Sequence, residues 1–71
     1  MTLRELRKQN KKTVAEIAKV LNVTDRAVLN YEQGIRRIGL EEILALAKVF
    51  DCTAEEIILA QLKSIEINNS K

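Results

Sequence analysis

Apolar residues recur at helical spacing along most of this 71-residue chain, and polar punctuation divides them into five segments. Three segments open alike, with a Thr followed three residues later by a Glu: Thr2 and Glu5, Thr13 and Glu16, Thr53 and Glu56. In such a pair the hydroxyl accepts from the Glu backbone N–H while the carboxylate reaches back to the Thr N–H, so each predicts a helix start. Helix one is expected over about Leu3 to Gln9, with Leu3 and Leu6 inward. Helix two covers about Val14 to Leu21, with Ile17, Ala18 and Leu21 on one face, and helix three covers about Asp25 to Gln33, with Ala27, Val28 and Tyr31 inward. Helix four runs from about Leu40 to Phe50, with Leu40, Ile43, Leu44 and Ala47 on one stripe. Helix five starts after Thr53 and continues through Ile57, Ile58 and Leu62, and Asn68 to Lys71 form a polar end expected to fray.

The junction between helices two and three is the most informative. Leu21, Asn22, Val23 and Thr24 form a tight turn: Asn22 can take the left-handed conformation that ends a helix, and Thr24 is a good cap for the next one. Two short helices joined this way form a helix-turn-helix, whose second helix can lie in the DNA major groove.

Composition agrees with an all-α domain. There is no Pro, no Trp and only two Gly, and a hydrophobic share of 46% is enough to reject disorder for the bulk of the chain. The length fits one domain, with a core expected over about residues 2–61 and a tail over about 62–71. No apolar run approaches membrane-spanning length and no signal-peptide pattern opens the chain, so a cytoplasmic location is expected. The single Cys52 cannot form an internal disulfide and reads as a small buried hydrophobe. The net charge of +2 hides an asymmetry. Residues 1–37 hold nine basic and four acidic residues, whereas residues 38–71 hold three and six. The basic half contains the helix-turn-helix, which points to a polyanion as its partner.

The ordered set Thr13, Glu16, Ile17, Ala18, Leu21, Val23, Thr24, Val28, Tyr31, Glu32 and Gly34 resembles the lambda-repressor-like (Cro/CI, Xre-type) helix-turn-helix family of bacteria and their phages. The similarity extends from about Leu3 to about Ile57 and implies a compact five-helix DNA-binding fold. There are departures. Val14 stands where the family usually has a phosphate-contacting Gln, Lys11 and Asn22 where Gly is usual, and Gly39 where Pro is common. The resemblance also implies that Arg7 and Glu32 meet as a partly buried ion pair clamping helix one to helix three.

The outward face of helix three carries Asp25, Arg26, Leu29 and Asn30 as candidate base-contacting residues. Arg26 can pair bidentately with guanine and Asn30 with adenine. Leu29 reads two ways, as a contact for a thymine methyl or as a single exposed leucine. Asp25 suits the positive end of the helix and could instead accept from cytosine. Candidate phosphate contacts flank this face: Lys11, Lys12, Thr13 and Val14 on one side, Arg36 and Arg37 on the other, with Thr24 and Gln33 at the two ends of helix three. Thr13 and the amides that follow it form an anion-ready helix start, where Val14 offers only its backbone N–H. Ile58, Leu62 and Ile65, spaced i, i+4 and i+7, offer a seam for a two-fold homodimer, with Ile67 beside it; the alternation Ile65, Glu66, Ile67 leaves a short pairing strand as the competing geometry.

Catalysis is not expected. There is no His, no second Cys and no Gly-rich phosphate loop, and the adjacent acids Glu41–Glu42 and Glu55–Glu56 suit helix first turns rather than a carboxylate dyad. No metal or cofactor is implied, and no small-molecule effector is expected in so short a chain. The reading is a sequence-specific transcriptional regulator, a repressor acting as a homodimer on palindromic double-stranded DNA. Two rivals remain: an antitoxin- or adaptor-type protein-interaction module, favoured by the apolar Val14 and Leu29, and a nonspecific architectural DNA binder.

Overall fold

The computed structural model describes residues 1–69 as five α-helices: α1 (Leu3–Gln9), α2 (Val14–Leu21), α3 (Asp25–Glu32), α4 (Leu40–Val49) and α5 (Ala54–Asn69). Thr2 and Thr13 each make both halves of a capping box with Glu5 and Glu16. At α5 only the hydroxyl half forms: Thr53 Oγ1 accepts from the Glu56 amide at 3.1 Å. Gly39 starts α4 with the other half, its N–H donating to Glu42 Oε1 at 2.9 Å. A Pro here would forfeit that bond, since it has no N–H.

The first four helices end alike. Lys11, Asn22, Gly34 and Asp51 all have positive φ, of 56°, 58°, 75° and 50°. Each donates to the carbonyl three residues back, and the next residue donates five back, as in Lys12 N to Arg7 O at 3.1 Å and Cys52 N to Ala47 O at 2.9 Å. This is the Schellman ending, for which Gly is the unstrained choice, yet only one of the four is Gly.

The core gathers Leu3, Leu6, Ile17, Ala18, Leu21, Ala27, Val28, Tyr31, Ile38, Ile43, Leu46, Phe50, Ile57 and Ala60. α2 packs on α3 and α4, while α5 packs on α1, α3 and α4. Two expectations need correction. The inward stripe of α4 is Ile43 and Leu46, continued by Phe50, whereas Leu40 and Leu44 are 71% and 51% exposed. α4 is apolar on more than one side, so its spacing alone does not choose the buried one.

The second correction concerns α5, which continues as a helix through Asn69, so Ile65 to Ile67 form no strand and Asn68 lies within the helix; Ser70 and Lys71 lie outside the described residues. Residues beyond 61 belong to the fold because Ser64 is buried: its Oγ accepts from the Leu3 amide at 3.2 Å and donates to Ala60 O at 3.0 Å. Gly34 admits α5 at close range, since a Cβ there would lie 2.5 Å from Ser64 O and 2.8 Å from Ile65 Cα.

Candidate nucleic-acid interface

α3 is set by its two ends. Thr24 Oγ1 accepts from the Ala27 amide at 3.1 Å, and the left-handed Asn22 turns the chain so that α2 and α3 pack on one another. Ala27, Val28 and Tyr31 are buried, which leaves Thr24, Asp25, Arg26 and Gln33 exposed. Leu29 and Asn30 are half-buried. Asp25 lies in the first turn of α3, where a negative charge meets the positive helix end.

Leu29 is partly covered rather than fully exposed. It lines an open groove of about 400 Å³ together with Glu32 and Gln33 of α3, Thr2, Arg4 and Arg7 near the amino end, and Ser64, Ile67 and Asn68 of α5. Arg4, exposed on this groove beside Gln33, is a cation that pattern reading did not single out. Its only sequence signal is its membership of the basic half.

The basic segments on either side of α3 are tied to it. Arg7 Nε donates to Glu32 Oε2 at 2.5 Å and Arg7 Nη2 to Glu32 Oε1 at 3.2 Å, with the two side chains 12% and 8% exposed. Arg7 Nη1 donates in addition to Lys12 O at 3.0 Å, so one guanidinium holds the Lys11–Lys12 turn to the end of α3. Lys11 and Thr13 are exposed; Lys12 is half-buried. Val14 is half-buried against the core, so its side chain is spent on packing. On the other side Arg36 and Arg37 are exposed, and the Arg36 guanidinium lies 5.9 Å from the centroid of the Tyr31 ring, a cation–π distance.

Besides Asp25, two carboxylates sit at helix starts in the basic half. Glu16 is held below the usual carboxylate range by the Thr13 backbone N–H first and the Thr13 hydroxyl second, and Glu5 likewise by Thr2. Burial raises the pKa of the Cys52 thiol, with Glu56 and Asp51 adding to the shift, which suits a packing residue and not a nucleophile. Among the described residues no group of three or more His, Cys, Asp or Glu side chains is placed to hold a metal ion. No helix among them is long and apolar enough to cross a membrane.

Of the residues proposed for a dimer seam, Ile58 and Leu62 are 40% and 48% exposed and Ile65 is half-buried. Ile67, 45% exposed, lies instead on the groove beside Thr2 and Leu29, about 140° round the helix from Leu62.

A buried-and-exposed helix pair of this kind, with basic turns fixed on both sides, defines a helix-turn-helix domain. The helix-turn-helix family profile matches residues 3–57, and the chain belongs to that family, in its Cro/CI/Xre-type branch. It is 37% identical over 62 residues to a Thermococcus kodakarensis protein named as an HTH-type transcriptional regulatory protein, covering 86% of this chain and 20% of the relative. It is 36% identical over 56 residues to the HTH-type transcriptional regulator AnsR of Bacillus subtilis, covering 79% of this chain and 48% of the relative. The chain thus spans about a fifth and about half of the lengths of these curated relatives. No solved structure gives a significant match. Both relatives are named as regulators of transcription.

Proposed function

We propose that the chain is the DNA-reading part of a transcriptional regulator, a repressor that binds a palindromic operator as a homodimer with α3 in the major groove. The observation that carries this reading is the exposure of Asp25 and Arg26 at the start of α3, opposite a fully packed face. Early positions of a recognition helix reach base edges most easily. Lys11, Lys12 and the amides after Thr13 on one side, and Arg36 and Arg37 on the other, are assigned to phosphates, which dominate affinity without reading sequence. A DNA ligand makes the cytoplasm the site of action.

The protein-interaction alternative relied on Val14 and Leu29 as apolar groups on a polar surface. Val14 packs against the core and so has a structural use without a partner protein, whereas Leu29 is half-buried on an open groove. Selection of duplexes from a random pool tests the proposal. Enrichment of a two-fold-symmetric sequence is the expected result. Duplex binding with no enriched sequence would replace it by architectural binding, and the absence of duplex binding would return the protein-interaction reading.

A further inference from the structure

The loop after α3 meets one stretch of α5 at both ends, by close approach at its start and by a hydrogen bond at its end. At its start, Gly34 has φ +75°, and its Cα sits so close to α5 that an added Cβ would lie 2.5 Å from Ser64 O and 2.8 Å from Ile65 Cα. At its end, the Ile38 amide donates to Gln61 Oε1, and both residues are buried, at 6% and 7% exposure. Gln61 is one of only two buried polar residues among the described residues, and it follows Ile57, the end of the family match. Between these two contacts the backbone N–H groups of Ile35 and Arg36 donate to Asn30 O at 3.0 and 3.3 Å, which closes the loop onto α3. The residues left exposed between them are Ile35, Arg36 and Arg37.

A buried amide such as that of Ile38 needs a partner, and among the described residues no backbone carbonyl serves it; the side chain of Gln61 does. A long charged side chain gains little from a phosphate contact if its backbone must first be ordered, because the ordering entropy opposes binding. Fastening the loop in the free protein removes that cost. We propose that Gln61 is a positioning residue for DNA binding: through the Ile38 amide it holds the Arg36–Arg37 loop in a phosphate-contacting geometry, with Gly34 admitting α5 at the other end. The inference rests on the DNA-binding reading above and adds to it a role for α5 beyond the family match.

The test uses the full chain and a random-sequence duplex, with affinity measured against salt concentration below the melting transition of every variant. Gln61→Met keeps the length and volume of the side chain without the amide oxygen. It is expected to flatten the salt slope by about one to two units, as if Arg36 or Arg37 had lost its phosphate. Combined with Arg36→Ala and Arg37→Ala, it is expected to add nothing further to the loss. Hydrogen exchange separates this from general loosening: the Ile38 amide should lose protection in Gln61→Met while that of Ile57 keeps it. A wild-type slope in Gln61→Met with the Ile38 amide released would overturn the positioning role and leave DNA binding intact. Loss of protection at Ile57 to the same degree as at Ile38 would assign Gln61 to the core alone. A wild-type chain with no salt-dependent duplex binding would remove the DNA reading itself, and this proposal with it.

Discussion

Arg7 grips Glu32 through two hydrogen bonds while its remaining terminal nitrogen holds the carbonyl of Lys12, so a single side chain of α1 fixes both the end of α3 and the turn that starts α2. Both partners are nearly covered. Removing either one strands the other charge in a poorly hydrated site, at a cost on the order of 3–5 kcal/mol. Arg7→Ala and Glu32→Ala should therefore each lower the thermal midpoint steeply. Arg7→Lys should rescue little, because an ammonium cannot reproduce the planar fork that serves three acceptors. Near-native melting of both alanine variants would show that the pair contributes no stability.

The left-handed helix endings give a prediction of opposite sign. Lys11 and Asp51 occupy positions at φ 56° and 50°, where a side chain crowds its own carbonyl and Gly does not. Lys11→Gly and Asp51→Gly should each stabilise the fold by about 0.5–1 kcal/mol in urea unfolding. Gly34→Ala should destabilise it by about 2–5 kcal/mol, since the new methyl meets both positive φ and the α5 backbone. Lys11→Gly should also bind DNA more weakly despite its higher stability. A variant that gains stability and keeps the wild-type salt slope would take Lys11 off the list of phosphate contacts.

Most of the framework was legible in the sequence because it is local. Thr2, Thr13 and Asn22 announce their roles through chain neighbours, and Ala27, Val28 and Tyr31 announce theirs through helical spacing. What was not legible depends on partners far along the chain. Gln61 and Ser64 are polar residues on the buried side of a helix whose exposed side carries Ile58, Leu59 and Leu62, so the pattern of α5 points the wrong way. Their reasons for burial are amides at Ile38 and Leu3, 23 and 61 residues distant. Leu40 and Leu44 mislead for the same reason in reverse, being apolar residues of α4 that the packing of α5 and α2 leaves outside.

Acid should weaken the two capping boxes. Glu5 and Glu16 have folded-state pKa values below the ordinary 4.5, because each carboxylate accepts from a Thr backbone N–H and then from its hydroxyl. A depressed carboxylate contributes stability that is fully present above its unfolded value and is lost as pH falls through its folded value. The melting temperature of the wild-type chain should thus decline as pH falls below about 4.5, the ordinary value. A Glu5→Gln, Glu16→Gln double variant retains the box through its amide oxygens and should show a shallower decline. Identical acid profiles for the two proteins would mean that other carboxylates set the loss.

Base reading and phosphate gripping should separate in mutants. Arg26→Ala should cost about 1–3 kcal/mol on the preferred duplex and relax discrimination at one base pair. Arg36→Ala and Arg37→Ala should weaken all duplexes alike, and each should flatten the salt slope by about one unit. Competition between preferred and random duplexes at several salt concentrations reads both effects at once. Wild-type affinity and base preference in Arg26→Ala would refute its assignment.

The dimer proposal now has a narrower seam. α5 stays helical through Asn69, which favours helix–helix pairing over a strand, and Ile67 lies on the groove away from Ile58 and Leu62. That leaves Ile58, Leu62 and the half-buried Ile65 at i, i+4 and i+7, with Leu59, 56% exposed, at the margin. Self-pairing of this stripe would be isologous, each copy offering the same residues to the other. For a two-fold operator, two such bodies, each 29 × 24 × 22 Å, would have to set their recognition helices about 34–36 Å apart, one turn of the duplex. Leu62→Asp places a charge in the middle of the seam but on an exposed position of the monomer, so the fold should survive and the dimer should not. Sedimentation at micromolar concentration should give a dimer for the wild-type chain and a monomer for Leu62→Asp, with operator affinity falling together with the dimer. Ile67→Asp should leave the dimer intact. A wild-type chain that sediments as a monomer and still binds its operator tightly would remove the dimer from the mechanism and leave a single recognition helix to carry specificity.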